Sequence, residues 1–366
     1  MFDINKKHLV KTFSELAKIS SPSWKEDGVR EYIMRSLKNM RVSLKKFSCG
    51  DSYNLLISMD GDKKRKPILF SAHMDTVTPC DRVKPVITDK KISSDGTTVL
   101  GSDDKAAIAM FLESLYFISR TGMPHGPLEF LFSCAEEVGL CGIKCFDMSI
   151  LKSKYAFVFD SDGSIGRIVL VAPYHSTMKI TVLGKAAHAG MEPEKGINAI
   201  NVLSEIITRL PSGRIDSETT VNVGTVSGGR ATNIVAEEAN CALEVRSIDK
   251  KKLLRYESII RERARTTSAQ YGAGCRISRT LEYSGFRIRS EDPIVRIAAE
   301  AMGRIGIRHQ FEISGGGSDT NIFNKAGIRA INISAGMQRV HTTREFVLIS
   351  DLINGTRLVL SIINSI

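Results

Sequence analysis

Apolar residues in "HLVKTFSELAKI" (8–19) recur at helical spacing and predict a helix. In the next segment, "SPSWKEDGVREYIMRSLKNM", Glu26 follows Ser23 by three residues. That is the signature of a capping box and predicts a second helix. Four short apolar runs, "YNLLISM", "PILFSAHMD", "PLEFLFSCA" and "YAFVFDSD", read as buried strands. "KAAIAMFLESLYFISR" reads as an apolar helix between them. Buried strands alternating with helices predict an α/β fold, a largely parallel sheet with helices on both faces.

Near residue 176 the pattern changes. "TMKITVLG" alternates with period two, which predicts a strand with one exposed face. The helix "INAINVLSEIITRL" follows, then strands "TTVNVGTV" and "NCALEVRSI", a long helix from Asp249, and a strand "CRISRTLEY". This β-α-β-β-α-β order is ferredoxin-like. The first pattern then resumes with helix "DPIVRIAAEAMGRIG", strand "RAINISA" and a final helix from Ile349. The expected organisation is a large domain formed by 1–175 and 287–366, with an α+β domain, 176–286, inserted into it.

A chain of 366 residues suits two domains, and its hydrophobic fraction of 42% can fill their cores. It has no apolar run of 18 residues, so no membrane partner is expected. The N-terminal stretch is amphipathic and lacks the apolar core of a signal peptide, which predicts a cytoplasmic protein. Seven scattered cysteines fit reduced thiols better than a disulfide framework. Cys141 and Cys145 in "CGIKC" lack a second pair to complete a zinc site. The net charge of +11 is spread along the chain, and its densest cluster, "GDKKRKP", reads as a solvated loop between strands. No nucleic-acid motif accompanies it, so no nucleic-acid partner is expected.

Polar residues gather where the large domain's strands end. "SAHMDTV" carries His73 and Asp75, "LGSDDKA" Asp103 and Asp104, "CAEEVG" Glu136 and Glu137, "VFDSDG" Asp160, and "RVHTTRE" His341. Binding sites in open α/β sheets form beyond the carboxyl ends of strands, so these residues can converge. Histidines with carboxylates are ligands for zinc, or for manganese or cobalt. The carboxylates are too many for one tetrahedral ion, whereas a pair of ions sharing one of them would use them and could activate a water. A glutamate suits the base that this water needs. His73 and Asp75, two apart on a strand, share a face, so Asp75 can support the imidazole from behind.

Together "SAHMDTV", "LGSDDKAAIA", "SCAEEVGLCG", "FVFDSDG", "KAAHAG" and "HTTREFV" resemble the dinuclear zinc peptidases of metallopeptidase family 20. "SDGTTVLGSDDKA", "PEKGINAI", "GRIDSETT", "ATNIV" and "SGGGSDTN" resemble its peptidase T-like branch. The resemblance covers nearly the whole chain, in order. It implies a zinc-peptidase-like mixed sheet with an inserted lid and dimerisation domain, and two divalent ions, zinc or alternatively cobalt or manganese. His73 and Asp160 would bind one ion, Glu137 and His341 the other, and Asp103 would bridge them, with Asp104 as the alternative bridge. Glu136 would be the general base, with Asp75 supporting His73. His188 would stabilise the oxyanion, in some relatives from the partner subunit of a homodimer. Asn233 and Arg246 would contact substrate, Arg246 through a bidentate pair with its carboxylate. The glycines of "SGGGSDTN" would let backbone N–H groups approach it.

The implied activity is an exopeptidase acting on small peptides, most simply a tripeptide aminopeptidase. A deacylase or amidohydrolase acting on N-acyl amino acids is the alternative with the same chemistry. His8, His125, His175 and His309 match no role in the resemblance.

Overall fold

The computed structural model describes residues 2–366. Along the chain come α1 (Lys6–Ala17), α2 (Asp27–Ser36), β1 (Ser43–Cys49), β2 (Ser52–Met59), β3 (Ile68–His73), α3 (Ser102–Thr121), β4 (Leu128–Ser133), β5 (Tyr155–Ser161) and β6 (Arg167–Ala172). Then follow β7 (Tyr174–Leu183), α4 (Ala199–Arg209), β8 (Thr219–Gly228), β9 (Glu238–Ser247), α5 (Lys250–Gln270) and β10 (Gly274–Tyr283). The last principal elements are α6 (Pro293–Arg304), α7 (Asp319–Lys325), β11 (Arg329–Ser334) and α8 (Ile349–Ile363).

The chain divides into two compact units. The first takes Met1–Leu170, Arg287–Ser314 and Ser318–Ile366, and the second takes Val171–Phe286 with Gly315–Gly317. The inserted unit therefore starts at Val171 rather than 176, and it draws in the glycine run from the later segment.

In the first unit the sheet runs β1-β2-β4-β3-β5-β11-β6. Its centre, β4-β3-β5-β11, is parallel, while β1, β2 and β6 pair antiparallel. The sheet is thus mixed, with the parallel character confined to the strands buried on both faces. Phe70, Phe130 and Phe157 sit side by side on β3, β4 and β5, with ring centroids 5.2 and 5.7 Å from Phe70. Phe111 of α3 packs on this row. Each of these rings is fully buried, an environment in which a phenylalanine contributes about 1.5–3 kcal/mol. His73, Ser133 and Asp160 each follow one of these anchors by three residues. The core therefore fixes the height of the strand ends that carry the chemistry.

The second unit is an antiparallel sheet in the order β8-β9-β7-β10, carrying α4 and α5. On β7, Met178, Ile180 and Val182 are buried in a core with Leu203, Ile206, Leu243 and Ile260. Lys179 between them is exposed, which is the period-two pattern in three dimensions. No helix among the described residues is long and apolar enough to cross a membrane.

Two local expectations are overturned. α2 starts at Asp27 with Glu26 as its N-cap, and no side-chain capping bond forms. Ser23 and Glu26 point elsewhere, as described below. Cys49 and Cys145 form a disulfide that spans 96 residues, so the cysteines are not all free thiols. Sequence spacing could not show this pair, because it links the end of β1 to the short helix Cys141–Cys145 after β4.

Candidate metal centre

β3 and β5 are neighbouring parallel strands, so His73 and Asp160 emerge beside one another at their carboxyl ends. His73 Nε2 lies 3.6 Å from Asp160 Oδ1 and 3.0 Å from Asp103 Oδ1. The other oxygen of Asp103, Oδ2, lies 3.1 Å from His341 Nε2, which is also 3.1 Å from Glu137 Oε1. One carboxylate thus stands between two imidazoles, each with its own second carboxylate. Asp104 is fully buried; its Oδ2 accepts from the backbone N–H of His73, and its Oδ1 is unpartnered. Ligand atoms of His73, Asp103 and Glu137, and of His73, Asp104 and Asp160, fall within 4.8 Å of one another.

The Glu136–Glu137 doublet lies where β4 has ended. Ala135 takes a left-handed φ of 48°, and the N–H groups of Gly139 and Leu140 close a turn on the carbonyl of Glu136. Gly142 is required there, since a Cβ would meet the carbonyl oxygen of Cys134 at 2.0 Å. The turn lets neighbouring side chains share the site, which a strand forbids. Glu136 stands outside both ligand clusters.

Asp75 has a larger task than supporting His73. His73 Nδ1 lies 2.9 Å from the backbone carbonyl of Asp75 and 3.4 Å from its carboxylate. The carboxylate instead accepts from the N–H of Glu136 at 2.9 Å, the N–H of Glu137 at 3.1 Å and Ser23 Oγ at 2.6 Å. Glu26 is also fully buried and accepts from the N–H of Ala135 at 3.0 Å. Ser23 and Glu26, expected to cap a helix, therefore hold the doublet's turn.

Other supporting residues lie outside the expected set. Asn332 exchanges amide hydrogen bonds with the backbone of Asp160 across a register shift between β11 and β5. Asp319, at the start of α7, accepts from Ser133 Oγ at the end of β4. Glu345 accepts from the loop that carries Asp103. Asp319 and Glu345 lie inside the quoted motifs "SGGGSDTN" and "HTTREFV", which was the available signal.

Burial raises the pKa of Glu136, Glu137 and Asp104, and lifts Asp160 to about 7. Neighbouring carboxylates add to each of these shifts. Burial opposes protonation of His73, but hydrogen bonds with Asp103, Asp160 and Asp75 outweigh it and raise its pKa. Asp103 and Glu137 raise His341 to about 10. So many buried acids around two imidazoles need positive charge. The donor set, hard carboxylate oxygens with two imidazole nitrogens, and the unpartnered Asp104 oxygen fit divalent ions.

In the second unit, His188 and Asn233 are neighbours. His188 bridges to Ile234, and the N–H of Ala189 donates to the carbonyl of Asn233. His188 Nδ1 accepts from the N–H groups of Gly190 and Met191, so the neutral ring carries its proton on Nε2. Arg246 lies on β9, where Glu244 engages its Nε and Nη2 at 3.1 Å each. The expected fork for a substrate carboxylate is therefore partly committed, leaving the Nη1 end, which lies 3.4 Å from the carbonyl of Gly315. Gly317 packs against Tyr283, where a Cβ would fall 2.3 Å from the ring.

Residues 174–272 match the peptidase dimerisation domain of the M20 peptidases. Aminopeptidase PepT from Bacillus cereus has 35% sequence identity and a TM-score of 0.89 over 99% of both chains. A tripeptidase from Staphylococcus aureus has 33% identity and a TM-score of 0.92 over 98% of both. The chain belongs to the M20 peptidase family. Residues 54–195 also match peptidase family M28, a segment that contains His73, Asp103, the glutamate doublet and Asp160. The full-length M20 relatives and the dimerisation domain decide between the two. The Bacillus subtilis protein YqjE, itself uncharacterised, is 36% identical over 98% of both chains. Peptidase T of Fusobacterium nucleatum is 28% identical over 77% of this chain. As an M20 metallopeptidase, the chain is a hydrolase.

Proposed function

We propose that this M20 peptidase is a zinc-dependent aminopeptidase that releases the N-terminal residue of tripeptides. The observation that carries the reading is the Asp103 carboxylate between His73 and His341, at 3.0 and 3.1 Å. His73 with Asp160 would hold one ion, and Glu137 with His341 the other. When bound, such ions polarise a carbonyl and lower the pKa of a water. Glu136 accepts the proton of the attacking water and returns it to the leaving amine. Asp75, Ser23 and Glu26 keep that carboxylate beside its neighbour Glu137. By the family resemblance His188 would give a hydrogen bond from Nε2–H to the oxyanion, and Asn233 and Arg246 would contact substrate, Arg246 through its Nη1 end. The tripeptide preference rests on the likeness to the tripeptidase of Staphylococcus aureus and to the peptidase T enzymes. The dimerisation-domain match supports a homodimer through the inserted unit.

A substrate panel tests this reading. Free-N-terminal tripeptides should be cleaved to an amino acid and a dipeptide, with N-acyl amino acids left intact. Cleavage confined to the N-acyl compounds would replace the peptidase by a deacylase.

A further inference from the structure

Glu345 lies four residues after His341 and is 1% exposed. Its carboxylate is filled by four donors. Oε2 accepts from the N–H of Leu100 at 2.7 Å and of Gly101 at 2.9 Å, and Oε1 accepts from Ser102 Oγ at 2.5 Å and the N–H of Asp103 at 3.1 Å. The backbone N–H groups of Leu100, Gly101 and Asp103 and the hydroxyl of Ser102 thus converge on one side chain. Two of the backbone donors would otherwise be buried without a partner, since Leu100 and Gly101 are inside the protein.

The backbone of the same residue is also tied down. Its N–H donates to the carbonyl of Thr342, and its carbonyl accepts from the N–H of Ser94. The strand that follows, Phe346–Leu348, pairs with Lys91–Ser93. His341 itself sits at a left-handed φ of 61°, a strained conformation for a non-glycine residue that its surroundings must hold.

We propose that Glu345 is the positioning residue of the Asp103–His341–Glu137 half of the metal centre. It fastens the loop that presents Asp103 to the loop that presents His341, so these two ligands keep their spacing of 3.1 Å. His73 and Asp160 do not depend on it, because the β3–β5 ladder holds them. Glu345 therefore bears mainly on the second ion, two of whose ligands lie on the loops it joins, and reaches the first only through the Asp103 bridge. The proposal rests on the two-ion reading above.

The test is zinc binding to metal-stripped protein, followed by calorimetry, with metal content measured after dialysis. Wild type should take up two ions. Glu345→Gln offers one acceptor oxygen and sets an amide NH₂ against backbone donors. It should keep one tight ion and bind the second at least about tenfold more weakly, with the metal-free melting temperature lowered only modestly. Ser102→Ala removes a single donor and should weaken the second ion less. Two ions bound by folded Glu345→Gln at wild-type affinity, or both weakened equally, would overturn the proposal. If Glu345→Gln does not fold, unchanged second-ion affinity in Ser102→Ala overturns it. A wild type that binds fewer than two ions would sink the underlying reading instead.

Discussion

Asp75→Ala tests whether the glutamate doublet is held from below. The carboxylate removed is fully buried and serves the N–H groups of Glu136 and Glu137 and the hydroxyl of Ser23. The serine can rotate toward another acceptor, but the two amides cannot. A buried donor left unpaired costs about 1–3 kcal/mol, so the pair implies a loss of roughly 4 kcal/mol. For a unit of this size, that corresponds to a fall of roughly 10 °C in melting temperature. Turnover should fall further, by about 100-fold beyond any loss of folded protein, because a displacement of about 1 Å at a catalytic group has that effect. Asp75→Asn keeps one acceptor oxygen and should lie between. The assay pairs thermal melting of metal-loaded protein with peptide turnover at a temperature where the variant is folded. Wild-type melting and turnover in Asp75→Ala would refute the clamp. Unchanged melting with weakened metal binding would reduce Asp75 to a support for His73.

Glu136→Gln should retain the metal content of wild type and lose about 10²–10⁴-fold in kcat, since it removes the base and no ligand; metal analysis beside steady-state kinetics checks this, and near-normal kcat would contradict it. Glu244 gives a pH-dependent stability. Its contact with His175, and then with Arg246, outweighs burial and holds its pKa at about 2, below the value of about 4.3 in an unfolded chain. A depressed folded pKa stabilises above the unfolded value, and that contribution is lost as pH falls from about 4.3 toward about 2. The melting-temperature gap between wild type and Glu244→Gln should therefore be larger at pH 6 than at pH 3, and an equal gap at both would contradict the linkage.

The candidate ligands His73, Glu137 and Asp160 were legible because each follows a strong strand signal. His73 and Asp160 come directly from apolar runs whose phenylalanines pack together, so pattern and chemistry pointed to the same place. The same holds for the doublet, whose "VGLCG" already implied a turn. What could not be read was the wiring behind them. Ser23 and Glu26 have the spacing of a helix cap, and local propensity gave no reason to send them 52 and 109 residues away. Glu345 and Asn332 act through backbone amides distant in sequence, and such bonds leave no periodicity. Arg246 was expected to bind a substrate carboxylate, but Glu244, two residues earlier on the same strand face, already holds part of its fork. The disulfide and the transfer of Gly315–Gly317 to the inserted unit likewise depend on tertiary approach.

The most direct test of the central claim is tripeptide hydrolysis by one preparation before chelation, after it, and after zinc is restored. The account expects release of the N-terminal residue at the start, loss of release on stripping, and recovery with about two equivalents of zinc. Hydrolysis that persists in metal-free protein, or no release from any tripeptide by the zinc-loaded protein, would contradict it.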